Sequence, residues 1–236
     1  MKKSVLKCFI YAAVLYFLFL ALTVLVLTVD VQPIGKLGSN VGLATLNNAV
    51  FQVCGDNPFW YVISEICGVF ALLVAGGSAA FGVWQWISRK SLKKVDKDLF
   101  LLAGLYAVMM IFYVFFEFVV INYRPILVDG NPEASYPSSH TMLVCVIVLS
   151  AVFQMHRRIK HPTVRLVGTL VGFAVCILTA LGRLFSGMHW YTDVLAGIFL
   201  GSALAVTYMG AVKLLAPRRR RRVKAFKEIE TEPKEV

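Results

Sequence analysis

The chain has 236 residues, 58% of them hydrophobic and 16% charged, with a formal net charge of +11. A soluble domain of this length has no interior large enough to hide so much apolar surface, so composition excludes an ordinary water-soluble enzyme. The positive charge invites a nucleic-acid reading. Arg218 to Arg222, however, lie just past the last apolar run, where a basic stretch anchors topology and attracts anionic lipid headgroups, and no nucleic-acid partner is expected.

Six apolar runs, at about 5–29, 59–87, 99–121, 139–155, 164–182 and 190–215, approach or exceed the length that carries a helix across a bilayer. The first is too long for the apolar segment of a secretory signal and no small-x-small cleavage site follows it, so a retained helix is expected. Between the first two runs, residues 30–58 hold an amphipathic stretch around Leu43 to Val53, expected as a short helix lying at the membrane interface. The loop from Asn122 to Ser138 carries the turn signals Arg124-Pro125 and Asp129-Gly130-Asn131-Pro132. No strand-like alternation competes, and open sheet is not viable in lipid. The predicted fold is an all-α integral membrane bundle of six transmembrane helices over residues 1–217, followed by a basic cytosolic tail at 218–236.

Charge sets the expected orientation. Of the 24 Lys and Arg residues, 21 fall at the N-terminus, in the loops after the second and fourth runs and at the C-terminal end; only Lys36, Arg124 and Arg183 fall on the other side. The positive-inside rule then places both termini in the cytosol and the other loops on the external face. The five cysteines form no C-x-x-C pair, so zinc and thiol redox chemistry are not signalled; Cys54 could pair with Cys67 near the interface.

Three polar clusters sit at the ends of apolar runs, all on that external face: Tyr123-Arg124-Pro125, Tyr136-Pro137-Ser138-Ser139-His140, and Gly182 through Asp193. Polar groups at membrane depth are costly and tend to be there for function. His189 and Asp193 are four apart at the start of the sixth run, a spacing that shares a helix face, so Asp193 can fix the tautomer of His189 and leave the other ring nitrogen as a nucleophile. The same pair also fits a helix start with an Asp favoured by the dipole. Arg124 and Arg183 suit phosphate oxygens bidentately, though a lone outside arginine also serves as a headgroup anchor. Ser138 or Ser139 caps the fourth helix, whose start offers free backbone N–H groups to an anion, and His140 in its first turn can donate a proton to a leaving oxygen.

Taken together the clusters resemble the type 2 phosphatidic acid phosphatase family of membrane lipid phosphatases, whose pattern is K-x6-R-P, then P-S-G-H, then S-R-x5-H-x3-D. Arg124-Pro125, Pro137-Ser138-Ser139-His140 and Arg183-x5-His189-x3-Asp193 stand in those places. Three positions depart from the pattern: Ser139 stands for Gly, Gly182 for Ser, and Glu117 for the Lys seven before the arginine. Glu117 is expected on the same helix as Arg124, about two turns away, facing the bundle; an orienting role toward an arginine is favoured, and a preference for a substrate bearing a cation or bound metal, or a weakened phosphate site, stays open.

The resemblance implies a metal-free and cofactor-free phosphatase. Arg124, Arg183, Ser138 and backbone N–H groups would hold the phosphate. His189, oriented by Asp193, would attack phosphorus to give a phosphohistidine. His140 would protonate the leaving lipid oxygen and then serve as base for water. A polyprenyl diphosphate or a glycerolipid phosphate, such as phosphatidic acid or phosphatidylglycerol phosphate, would be the substrate. Three other readings remain open: a lipid phosphotransferase on the same site, a non-catalytic transporter or lipid-binding protein, and a bis-histidine haem protein. The last leaves both arginines and Asp193 unexplained.

Overall fold

The computed structural model of the protein describes residues 3–215. Its helices are α1 (Lys3–Thr28), α2 (Ala44–Cys54), α3 (Pro58–Arg89), α4 (Lys97–Phe118), α5 (Ser139–Arg158), α6 (Pro162–Phe185) and α7 (Tyr191–Leu215), with no strand among the described residues. All except α2 are long and apolar enough to cross a membrane, six spans in all. The basic stretch at 218–236, its expected lipid contacts and the boundary at 217/218 lie outside the described residues.

Local chemistry sets the helix ends. Pro58 opens α3 behind Asn57, whose side chain accepts from Phe59 N at 3.0 Å. Ser138 caps α5 and Pro162 opens α6. The third apolar run forms α4, which ends at Phe118, short of residue 121, where the β-branched Val119, Val120 and Ile121 follow and the chain turns into a paired loop. Arg124 is therefore in that loop and not on the same helix as Glu117, a correction to the expected placement. The amphipathic stretch is α2. Asn47 on it donates to Thr192 Oγ1 at 3.0 Å and accepts from Thr192 N at 3.2 Å, which ties α2 to the start of α7.

Helices α5 and α7 form the centre: 50% and 56% of their spans are buried, against 11–17% for α1, α3 and α6. The outer helices turn large apolar side chains such as Phe17, Leu73 and Leu170 outward, where lipid replaces water as the solvent. Two glycines set the central seam. A Cβ on Gly197 or Gly201 would stand 2.7 Å from the carbonyl oxygen of Ser138 or Met142 respectively, so the α7 backbone lies directly on α5. This small-x-x-x-small seam brings the start of α5 beside the start of α7. Gly182 does the same for α6 and α3, since a Cβ there would meet Trp60 O at 2.8 Å and Ser64 Cβ at 2.7 Å.

Six crossings put the loops 29–57, 119–138 and 186–190 at one end of the bundle. At the other end Asp96 and Asp98 gather the arginines that follow α3 and end α5. Arg158 donates to both Asp98 oxygens at 3.0 and 3.1 Å and to Asp96 at 2.9 Å; Arg89 reaches Asp96 at 2.9 Å and Arg157 lies 3.6 Å from Asp98. Burial pushes the Asp96 carboxyl up, but hydrogen bonds from Arg89, Gln85 and Arg158 outweigh it and hold it at about 2. All five cysteines are free, so Cys54 and Cys67 are not joined.

Candidate active site

The loop between α4 and α5 folds back on itself. Asp129 and Gly130, both with positive φ, make the turn; Val128 pairs with Asn131 and Tyr123 with Ala134. The pairing sets Arg124 across from Glu133, with Arg124 N donating to Glu133 O at 3.1 Å, and Asn122 across from Ser135, whose N donates to Asn122 O at 2.9 Å. Arg124 Nη2 then lies 3.2 Å from the Glu133 carboxylate. Glu133, and not Glu117, is the carboxylate that orients this arginine.

His189 sits in the short loop before α7, which begins at Tyr191, so the shared helix face expected for His189 and Asp193 does not exist. The two are joined through the paired loop instead. His189 Nδ1 lies 3.0 Å from Ser135 O and 3.1 Å from Ser135 Oγ. Ser135 Oγ donates to Asp193 Oδ2 at 2.5 Å; Trp190 N donates to the same oxygen at 3.0 Å, and Asn122 donates to Oδ1 at 3.3 Å. A carbonyl oxygen can only accept, so Nδ1 carries the proton and Nε2 keeps its lone pair. That Nε2 is buried and has no partner among the described residues. Burial, followed by the charges of Arg124, Arg183 and His140, holds the His189 ring well below the ordinary histidine range; the Ser135 carbonyl opposes them weakly. The ring is thus a neutral imidazole whose Nε2 accepts from no group among the described residues.

Arg183, on the last turn of α6, is 1% exposed. Its Nη2 donates to Glu65 on α3, its guanidinium lies over the Tyr61 ring at 5.4 Å, and its Nε has no partner among the described residues. His140, in the first turn of α5, points its Nε2 to Glu65 at 3.4 Å. Ser138 is fully buried: its Oγ lies 3.0 Å from Thr141 Oγ1 and its N donates to Asp193 O at 2.9 Å, so it caps α5 and ties it to α7.

A cavity of about 810 Å³ lies between α3, α4 and α5; of these groups Arg124, His140 and Glu65 line it, whereas Arg183, Ser138 and His189 do not. Arg124, His140, Ser139, Glu65, Glu117 and Glu133 form its polar part; Val69, Leu72, Met109, Met110 and Leu143 form its apolar part. Glu117 lines this cavity and makes no ion pair among the described residues. The sequence reading missed Glu65, Asn122, Glu133 and Ser135. For Glu65 a signal was present, because it is the lone acidic residue of α3, within an apolar run. The other three become visible only when the loop pairs.

A family model, the PAP2 superfamily, matches residues 73–216. The chain belongs to that superfamily, whose members are phosphatases. It is similar to the transmembrane PAP2-type phosphatidylglycerolphosphate phosphatase from Bacillus subtilis, with a TM-score of 0.65 and 16% identity over 88% of this chain and 98% of that one, which establishes a shared fold. It is also 30% identical over 77 residues to sphingosine-1-phosphate phosphatase 2 of Mus musculus, covering 32% of this chain and 21% of the relative. The matched stretch is thus about a fifth of that relative's length.

Proposed function

We propose that the protein is a membrane lipid phosphatase that works through a phosphohistidine. The observation that carries this reading is His189: a neutral, buried imidazole whose Nδ1–H is fixed on a backbone carbonyl and whose Nε2 lone pair has no partner. Free nucleophiles of this kind are costly to bury unless something is to be attacked.

The lipid phosphate lies with its tail against the apolar side of the cavity and its phosphate against Arg124 and Arg183. The start of α5, capped by Ser138, adds backbone N–H groups, and Ser139 lines the same wall. Nε2 of His189 donates its lone pair to phosphorus as the bond to the lipid oxygen breaks. His140 gives that oxygen a proton, and the lipid alcohol leaves, or the lipid monophosphate where the substrate is a diphosphate. A water then gives a proton to His140 while its oxygen attacks phosphorus and the P–N bond breaks. Inorganic phosphate leaves, and both histidines return to their starting forms. Asp193 acts at one remove, holding Ser135 Oγ and so the ring that Ser135 orients. The arginines supply the charge that stabilises the transition state, with no metal required.

The cavity has a large apolar lining, and its residues Val69 and Leu72 on α3 and Met110 on α4 are exposed. This supports a substrate that reaches the site from within the bilayer, a glycerolipid phosphate or a polyprenyl diphosphate. The charge asymmetry favours an external site with both termini cytosolic.

The test is phosphate release by the purified protein from a panel of lipid phosphates in mixed micelles, before and after exhaustive chelation. Release that survives chelation, falls about a thousandfold in His189→Ala, and passes through a phosphorylated protein with the acid lability of a P–N bond is the expected result. Activity within a few-fold of wild type in His189→Ala, or a rate lost with EDTA and restored by a divalent ion, overturns the mechanism. Transfer to a lipid alcohol in place of water would make the protein a phosphotransferase.

A further inference from the structure

Two of the groups assigned above to the phosphate are already held by a carboxylate that the reaction does not use. One oxygen of Glu65 accepts from Arg183 Nη2 and stands 3.4 Å from His140 Nε2. The position is built from the backbone outward. Gly182 allows α6 to settle on α3 at Trp60 and Ser64, the turn that carries Glu65. Gly68, one turn further along α3, leaves room for the His140 ring, whose Cδ2 would stand 3.3 Å from a Cβ there. The departure of Gly182 from the family's Ser thus goes with a close approach of α3 that the motif alone does not describe.

If Glu65 served only to neutralise Arg183, a buried and fully bonded pair would be expected. The arrangement differs in three ways. A single oxygen is shared between an arginine and a histidine. The Glu65 side chain is 39% exposed and lines the cavity. Arg183 Nε stays without a partner, so one edge of the guanidinium fork is unfilled. A carboxylate oxygen between Arg183 and His140 stands where a phosphate oxygen would stand, and it satisfies the arginine less completely than a bidentate oxyanion does.

Resting on the phosphatase reading, we propose that Glu65 is a positioning residue that acts as a displaceable anion. In the empty site it keeps Arg183 and His140 turned toward the cavity. An arriving phosphate has more acceptor oxygens and can fill both edges of the fork, so it takes over both groups, and Glu65 swings into the open cavity beside it. After hydrolysis Glu65 returns and competes inorganic phosphate off the arginine. Its role is to weaken product binding while preserving the geometry that the next substrate meets.

The experiment measures inorganic phosphate binding, by protection against thermal unfolding and by competitive inhibition, in the wild type, Glu65→Gln and Glu65→Ala. Removing the competing charge should tighten phosphate binding by about threefold to tenfold, with kcat falling as product release slows. A merely structural role would also lower kcat but would weaken phosphate binding, so the direction of the binding change separates the two. Unchanged or weaker phosphate binding in a folded variant overturns the proposal. Failure of both variants to fold overturns it as well, because a group that lets go during turnover is not one on which the fold depends. The binding arm needs no turnover. If the wild type hydrolyses no lipid phosphate but Glu65→Gln still binds inorganic phosphate more tightly, the phosphatase reading fails and the role of Glu65 stands.

Discussion

The two ends of the bundle are built from the same side chains and leave them in opposite states. Away from the site, Asp96 and Asp98 share Arg89, Arg157 and Arg158, and Gln85 donates to Asp96 at 2.9 Å, so the carboxylates there are met from several sides at once. At the site end, Arg183 Nε and His189 Nε2 are buried without partners, and Glu65 divides one oxygen between two groups. A saturated cluster staples helices: it joins the end of α3, the start of α4 and the end of α5. An unsaturated one stores binding capacity for something that arrives later. Counting arginines does not separate the two; asking which donors and acceptors are left over does.

The contrast breaks first at Ser135. If its hydroxyl is the link between Asp193 and the His189 ring, Ser135→Ala should lower kcat by about tenfold to a hundredfold. Its thermal midpoint should change little, since only one hydroxyl is lost; a kcat within twofold of wild type would show that the carbonyl alone orients the ring. The opposite end should respond the other way. Asp98→Asn leaves Arg158 without its bidentate partner and should cost about 3 kcal/mol of stability, read from denaturation in detergent, while kcat per folded molecule is unchanged. A large loss of kcat at full stability would mean that the two ends are coupled. The smallest effect is expected at Glu117. Because Arg124 already has Glu133, Glu117 repels the phosphate without orienting anything, and Glu117→Lys should lower KM by about threefold. A raised KM would restore an orienting role for that carboxylate.

The six spans were legible because lipid imposes one simple rule, long apolar runs, on every helix; every end came within about three residues, α4 stopping short at a β-branched run. The cluster Arg124, His140, Arg183, His189 and Asp193 was legible as a set of residue types at fixed spacing. Its wiring was not. The i, i+4 spacing of His189 and Asp193 suggested a direct bond on one helix face, but α7 begins after His189, and Ser135 fills the gap. That connection depends on a loop pairing between Tyr123 and Ala134, which no periodicity announces. Glu65 was the opposite case: a lone carboxylate in an apolar span, readable by its cost, and passed over because it lies far from the motifs in the chain.

If substrate enters the cavity through its exposed apolar lining on α3 and α4, as proposed above, concentration takes on a different meaning for this protein. A substrate that approaches through the leaflet moves in two dimensions, and its chance of encounter follows its mole fraction among neighbouring lipids, not the amount per volume of water. Diluting the bilayer with inert lipid should slow turnover at fixed bulk substrate, whereas adding more of the same membrane should leave the rate per enzyme unchanged. The protein therefore responds to the composition of the sheet it is embedded in, and its natural variable is the ratio of one lipid to the rest.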